Sequence, residues 1–98
     1  MSIGRVTNWT VYRVTLVSAN VQYSQQLSTG VKSVYVHSAS RSGSFRISLI
    51  DAHVEGGTKF LTVHPGGDWR NNKEILDQKT IYLSSDTANT VIEIEEWS

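Results

Sequence analysis

The chain has 98 residues, with nine basic and nine acidic side chains and no cysteine. Domains typically contain about 100–150 residues, so we expect residues 1–98 to form a single domain. The zero net charge argues against a nucleic-acid binder that depends on bulk attraction to phosphates. The lack of cysteine excludes disulfides, thiol catalysis and zinc sites built from cysteine.

The hydropathy pattern predicts neither a membrane span nor a secretory signal. No apolar run approaches the roughly 20 residues that a spanning helix needs. The first stretch, "MSIGRVTNWTVYRV", has one early arginine but no continuous apolar region of the kind a signal peptide contains. We therefore expect the protein to stay where it is made, or to leave by a route other than secretion.

Alternation of apolar and polar residues with a period of two runs through the chain and predicts β-strands. The stretches that carry it are "WTVYRVTLVS" from residue 9, "VQYSQQL" from 21, "VKSVYVHSA" from 31, "SFRISLI" from 44, "TKFLTV" from 58, "TIYLSS" from 80 and "TVIEIEEW" from 90. Turn residues separate them. The pattern predicts an all-β fold, a single antiparallel β-sandwich of about seven strands, with the jelly-roll and Ig-like strand orders both open.

Within these strands the alternation predicts which side chains face the core. In "SFRISLI" it turns Leu49 inward with the other apolar residues, and in "TVIEIEEW" it turns Ile92 and Ile94 inward. The opposite face of the last strand then carries two glutamates and a tryptophan. We expect that face to be available for contact with a neighbouring molecule.

The longest predicted loop, "HPGGDWRNNKEILD", begins at His64. It is longer than the usual connection of about 4–6 residues, which makes it a candidate for a contact function. Trp69 and Arg70 lie within it, and its segment 71–78 is the one place where a helical turn fits. Its glycines do not form a phosphate loop, because the lysine and serine or threonine of that motif are missing.

Charges are distributed unevenly along the chain. Residues 1–50 contain five basic side chains and no acid, whereas the acids concentrate after residue 64. Two interpretations are open. The early and late strands can pair within the fold, so that the charges cancel, or complementary surfaces can meet between copies or on a partner.

The best metal candidate is "DAHVE", in which Asp51, His53 and Glu55 would share one face of a strand. A polar outer face that runs into a glycine turn explains the same spacing, and we adopt that interpretation. No serine occupies a nucleophile elbow. We therefore predict a non-enzymatic protein with no metal and no cofactor.

The three tryptophans and the hairpin tip "SASRSGS" offer contact residues. Trp9, Trp69 and Trp97 either pack in the core or a seam, or stack on sugars, and Trp69 is the one we expect to be exposed. Arg41 at the hairpin tip is placed to reach a carboxylate or phosphate of a partner.

The second half of the chain carries a recognisable arrangement of strands and turns. "VKSVYVHSASRSGSFRISL" is followed by "FLTVHPGGDW" and, after a polar spacer, by "KTIYLSSDTANTVIEIEEW". Residues 31–97 resemble small structural proteins of tailed bacteriophages, which commonly close with such a strand, a turn and an acidic strand ending in tryptophan. Asn89 occupies a turn position where glycine is expected.

The resemblance implies a β-sandwich component of the virion, a head-decoration (cement) protein or a related fibre or tail part. It implies binding to the major capsid protein and to copies of itself, as a homo-oligomer such as a trimer. The outer surface of the phage head is the implied location, after synthesis in the host cytoplasm, with no contact to nucleic acid or membrane. The interface candidates are Trp69, Arg70, Arg41, Glu93, Glu95 and Trp97.

A carbohydrate-binding β-sandwich module is the alternative function. Such a module would belong to a receptor-binding fibre or another tail part, or act as a free protein. Trp69, with tyrosine or arginine side chains nearby, would then contact the sugar.

Overall fold

Eight β-strands form the regular structure of the described part of the chain. The structure, a computed structural model, describes residues 8–71 and 78–98. The strands are β1 (Trp9–Leu16), β2 (Tyr23–Gln26), β3 (Ser33–Ser38), β4 (Phe45–Ser48), β5 (Leu61–Val63), β6 (Asp68–Asn71), β7 (Thr80–Ser84) and β8 (Thr90–Trp97). Across these ranges no helix is long and apolar enough to cross a membrane. The helical turn predicted within 71–78 falls on residues 72–77, outside the described part of the chain.

The strands form two four-stranded antiparallel sheets packed as a sandwich. The first sheet has the order β1-β8-β3-β6 and the second has the order β2-β7-β4-β5. Apart from the β4–β5 hairpin, each strand is followed along the chain by a strand of the other sheet. This is the strand order of a jelly roll, so the predicted all-β sandwich is confirmed and the Ig-like order, in which the first two strands share a sheet, is excluded.

The core lies between the sheets and follows the predicted alternation closely. In β8 both Ile92 and Ile94 are fully buried, while Glu93, Glu95 and Trp97 point away from the core. The other buried apolar residues of the core are Leu16, Leu27, Val31, Val34, Val36, Phe45, Ile47, Val63, Ile81 and Leu83.

Two local predictions from the sequence are wrong. Trp69 was expected to be exposed in a loop, but it lies half-buried in the short strand β6, which pairs with β3. Strand β6 is the one that the prediction of about seven strands did not include. Leu49 was expected to face inward but is 43% exposed. The strand ends before it, because the hydroxyl of Ser48 accepts a hydrogen bond from the amide of Ile50 and donates one to the carbonyl of Lys59. These two bonds turn the chain away from the sheet.

Left-handed backbone conformations shape two of the turns. Asn89, in the turn before β8, has φ +60°, a conformation that asparagine tolerates better than most residues. Asparagine can therefore stand where glycine was expected. Arg41, at the tip between β3 and β4, has φ +58°, and its amide donates a hydrogen bond to the carbonyl of Ser38. This tight tip keeps Arg41 close to the end of β3.

One carboxylate is buried at an end of the sandwich. The side chain of Glu96 belongs to the inward-facing set of β8, and the residue is only 2% exposed. One of its oxygens accepts a hydrogen bond of 3.0 Å from the amide of Ser28, and the other accepts one of 3.2 Å from the hydroxyl of Tyr12. These bonds satisfy the carboxylate and tie the segment after β2 to the first sheet.

Candidate functional site

Strand β8 lies inside the first sheet and organises its exposed side. Its neighbours are β1 and β3, and β6 pairs with the far side of β3. Residues directly opposite each other in antiparallel strands project from the same face, so the outward residues of all four strands form one surface. We call this surface the outer face. Its residues are Trp9, Val11, Arg13, Thr15, Ser33, Tyr35, His37, Asp68, Arg70, Val91, Glu93, Glu95 and Trp97.

Two tryptophans form an exposed aromatic pair at one end of the outer face. Trp9 and Trp97 are opposite each other in the β1–β8 ladder, and their ring centroids are 5.7 Å apart with planes inclined by 32°. Trp9 is 58% exposed and Trp97 is 37% exposed. The indole nitrogen of Trp9 donates a 3.2 Å hydrogen bond to Glu95. The pair therefore combines exposed apolar area with a fixed geometry.

An ion pair across β1 and β8 joins an early basic residue to a late acid. Arg13 and Glu93 are opposite each other in the ladder, and the guanidinium Nε lies 2.9 Å from the carboxylate. The uneven charge distribution of the sequence is thus compensated within the fold at this position. The interpretation in which early and late strands pair within one chain accounts for Glu93.

A histidine lies under the two glutamates of β8. His37 is almost fully covered, and its Nδ1 is 3.1 Å from the carbonyl oxygen of Ser38. The other ring nitrogen is 3.4 Å from a carboxylate oxygen of Glu95 and 3.8 Å from one of Glu93. His37 thus lies next to both acids of the face.

Tyr35 is the centre of a second polar cluster, formed by β3, β6 and the hairpin tip. Arg41 donates a 3.2 Å hydrogen bond to its hydroxyl, which itself donates to Asp68. The guanidinium of Arg70 lies 4.5 Å from the centroid of the Tyr35 ring and also bonds to Asp68. The hydrogen bond with Tyr35 is the main cause that raises the pKa of Arg41 above its ordinary value, and the pKa of Arg70 is raised by Tyr35 and then by Asp68. Both arginines remain charged.

An open depression of about 400 Å³ lies between the tryptophan pair and this cluster. Tyr35, Arg70 and Trp97 contribute side chains from three adjacent strands. The depression therefore offers an aromatic wall, a cation and hydrogen-bonding groups within one small area. Its lining residues are Ser33, Val34, Tyr35, Arg70, Asn71 and Trp97.

Five of the six interface candidates meet at the outer face. Glu93, Glu95 and Trp97 come from β8, Arg70 comes from β6, and Arg41 reaches the face through Tyr35. Trp69, the sixth, projects to the other side of β6, where it is half-buried against the core.

Trp69 helps to line a separate apolar depression of about 340 Å³. Its lining comes from the end of β4, the start of β5 and Trp69 of β6. The exposed apolar residues Leu49, Ile50 and Leu61 contribute to its wall. Trp69 therefore does not share a surface with the other five candidates.

Nine of the thirteen members of the outer face were not among the interface candidates chosen from the sequence. Among them, Trp9 was considered only together with the other two tryptophans, for core packing or sugar stacking. Tyr35, His37 and Asp68 were not considered as site residues. Alternation in "VKSVYVHSA" already places Tyr35 opposite the buried valines. Tyr35 comes next to the acids because β3 pairs with both β8 and β6. This pairing is long-range and leaves no signal in the local sequence.

The residues of "DAHVE" do not form a metal centre. Residues 51–56 make a turn rather than a strand. The side-chain amide of Gln22 donates a hydrogen bond to Asp51, and the backbone amide of Gln22 donates one to Glu55. The Nδ1 atom of His53 accepts hydrogen bonds from the amides of residues 58 and 59. Among residues 8–71 and 78–98 no group of three potential ligands is arranged to hold a metal ion.

The fold and this face define an eight-stranded jelly roll with an aromatic and charged sheet surface. The chain is similar to a solved structure described as the solution NMR structure of a de novo designed double-stranded β-helix, with a TM-score of 0.55 and 15% identity. The similarity covers 94% of this chain and 100% of the designed one, and at this identity it shows the fold alone. No family model and no curated protein matches the sequence.

Proposed function

We propose that the protein is a non-enzymatic structural component of a phage virion that decorates the head and binds the major capsid protein through the outer face. The observation that carries the proposal is the placement of the exposed Trp9–Trp97 pair beside paired charges on one sheet surface. Tryptophan, tyrosine and arginine are enriched in protein interfaces and at their energetic hot spots.

The charges of the outer face suit a surface that is covered on assembly. Burying an unpaired charge is costly, whereas a charge that already has a hydrogen-bonded partner is covered at a lower cost. Arg13 is paired with Glu93, and Arg70 with Asp68. A capsid protein can therefore cover these groups without supplying a counter-charge for each of them.

The fold is compatible with a virion protein, but it does not identify the function. Eight-stranded jelly rolls occur in viral capsid proteins and in lectins, among others, and a fold alone does not imply a function. The resemblance of residues 31–97 to tailed-phage structural proteins favours the virion. In this proposal the protein is made in the host cytoplasm and ends on the outer surface of the head.

Copy number per particle tests the proposal. Virus-like particles would be purified from the culture whose DNA encodes the chain. Quantitative mass spectrometry would then compare the copy number of this chain with that of the major capsid protein. A decoration protein should be present in numbers comparable to the capsid protein. A few copies per particle would place it at the tail or a vertex, and its absence from particles would contradict a virion role.

Carbohydrate binding is a second candidate, favoured by the depression beside Trp97. An aromatic wall next to the guanidinium of Arg70 and the hydroxyl of Tyr35 matches the few polar groups and apolar surface of small-molecule sites. Titration with a panel of methyl hexopyranosides would test it through tryptophan fluorescence. Saturable quenching that Trp97→Phe abolishes would support a sugar site, and no quenching by any sugar of the panel would favour the decoration protein.

A further inference from the structure

Strand β1 is the long, regular edge of the sandwich. The four edge strands are β1, with eight residues, and β2, β5 and β6, with four, three and four residues. The pairing of β1 with β8 runs without a bulge from Trp9 opposite Trp97 to Leu16 opposite Thr90. No other strand of the described residues pairs with its open side.

The ladder determines which backbone groups of β1 point outward. Asn8 and Ser98 exchange two hydrogen bonds of 2.9 Å, each amide donating to the other residue's carbonyl. Hydrogen-bonded pairs alternate along an antiparallel ladder, so residues 10, 12, 14 and 16 also bond to β8. The amides and carbonyls of Trp9, Val11, Arg13 and Thr15 therefore point to the open edge.

This edge lacks the features that usually prevent strands from pairing. Natural proteins protect edges with short strands, lysines, prolines or bulges. β1 contains no proline, no lysine and no bulge, and its one charged residue, Arg13, is turned towards Glu93 on the same chain. The other three edges are protected by their shortness.

We propose that β1 pairs antiparallel with β1 of a second copy about a two-fold axis, so that the two first sheets become one eight-stranded sheet. A strand edge meets its identical copy antiparallel only through a two-fold axis, which is the commonest symmetry of oligomers. Another copy offers the one partner edge of equal length and regularity. The zero net charge of the chain leaves no overall repulsion between copies.

The odd numbering of the outward residues and the charge of Arg13 select the register of this pairing. The outward residues of both strands must bond to each other, so odd-numbered residues pair with odd-numbered residues. One such register places Arg13 opposite the second copy's Arg13, and like charges directly opposite each other are destabilising. The register that avoids this and pairs the longest stretch places Val11 opposite Arg13, and Trp9 opposite Thr15.

The inference goes beyond the proposed virion role and does not depend on it. It concerns a property of the purified chain, whereas the virion proposal is tested by counting copies in particles. A trimer was implied by the phage resemblance, and a two-fold sheet extension is a different assembly. The mass of the oligomer in solution separates the two.

Val11→Pro and Val11→Thr form a matched pair of variants that tests the edge. Among the described residues the ladder leaves the amide of Val11 pointing to the open edge, so proline there removes an outward donor and no bond to β8, a change that edge strands tolerate. Threonine keeps the amide and the strand preference. Sedimentation velocity should give wild type and Val11→Thr a mass twice the 10.9 kDa of one chain, and Val11→Pro the mass of a single chain, with circular dichroism unchanged.

Amide hydrogen exchange of the wild type gives a second measurement that holds even where Val11→Pro fails to fold. Slow exchange at residues 11, 13 and 15 that becomes fast on dilution, while residues 10, 12 and 14 stay protected, supports the pairing. Fast exchange at the odd-numbered residues at every concentration would overturn it. A monomeric or trimeric wild type, or a folded Val11→Pro that stays dimeric, would overturn it as well.

Discussion

Trp9 and Trp97 lie opposite each other in the β1–β8 ladder, with ring centroids 5.7 Å apart. Theirs is a non-hydrogen-bonded pair, in which side chains approach most closely. The contact joins the start of the first strand to the end of the last one. It fixes the position of an exposed aromatic surface that neither strand would hold alone.

We expect the two indoles to stabilise each other. Truncation of both, as Trp9→Ala with Trp97→Ala, should cost less than the sum of the single changes, with a coupling of about 0.5–1.5 kcal/mol, the usual value for aromatic pairs. Urea unfolding of the four proteins of this double-mutant cycle measures it. Strictly additive free energies of unfolding would show that the pair contributes no mutual stabilisation.

The ion pair between Arg13 and Glu93 should contribute little to stability. The Arg13 side chain is 67% exposed, and exposed pairs typically contribute less than about 1 kcal/mol. Glu93→Gln should therefore lower the free energy of unfolding only slightly, and the difference should shrink at high salt, which screens exposed charges. A loss of several kcal/mol that persists in high salt would show that Glu93 acts mainly through another partner, such as His37.

The buried carboxylate of Glu96 should matter more. Glu96→Ala leaves the Ser28 amide and the Tyr12 hydroxyl without their acceptor, and an unpaired buried polar group costs about 1–3 kcal/mol. Glu96→Gln keeps one acceptor oxygen, so its cost should be smaller. Chemical denaturation of both variants measures the difference. Equal losses would contradict a role of Glu96 as an acceptor.

Two adjacent glycines provide a matched test of the 51–59 turn. A methyl group added at Gly57 would collide with the ring and backbone of His53, whereas nothing lies close to the corresponding position at Gly56. Gly57→Ala should displace His53 from the amides of residues 58 and 59 and lower the melting temperature. Gly56→Ala should have a much smaller effect. Similar melting temperatures for both variants would contradict this account of the turn.

The sequence was sufficient to predict the fold class, because the alternation in most strands reflects burial directly. Ile92 and Ile94 are buried where the pattern predicts them, and Glu93 and Glu95 project outward. The strand order was not predictable, since the same alternation fits both the jelly-roll and the Ig-like sandwich. The order depends on which strands pair across the chain, and short-range sequence carries no record of that.

The candidate site was predictable only in part for the same reason. The acids and Trp97 of β8 were found because one strand displays them at a spacing of two residues. Tyr35 and His37 became part of the site through pairing with β8. Trp69 was misplaced because β6 is short and mostly polar, which is typical of a loop, and its one inward apolar side chain is the tryptophan itself.

The most direct test of the account measures binding to the particle by the outer face. Capsids that lack the protein would be mixed with wild type, with Trp97→Ala, and with Leu61→Ala, a control that removes another exposed apolar side chain from β5 of the second sheet. Sedimentation with the capsids would give the bound fraction. The account predicts that Trp97→Ala weakens binding by roughly tenfold or more, as hot-spot truncations do, while Leu61→Ala binds as wild type. Wild-type affinity of Trp97→Ala, or no binding of the wild type, would contradict it.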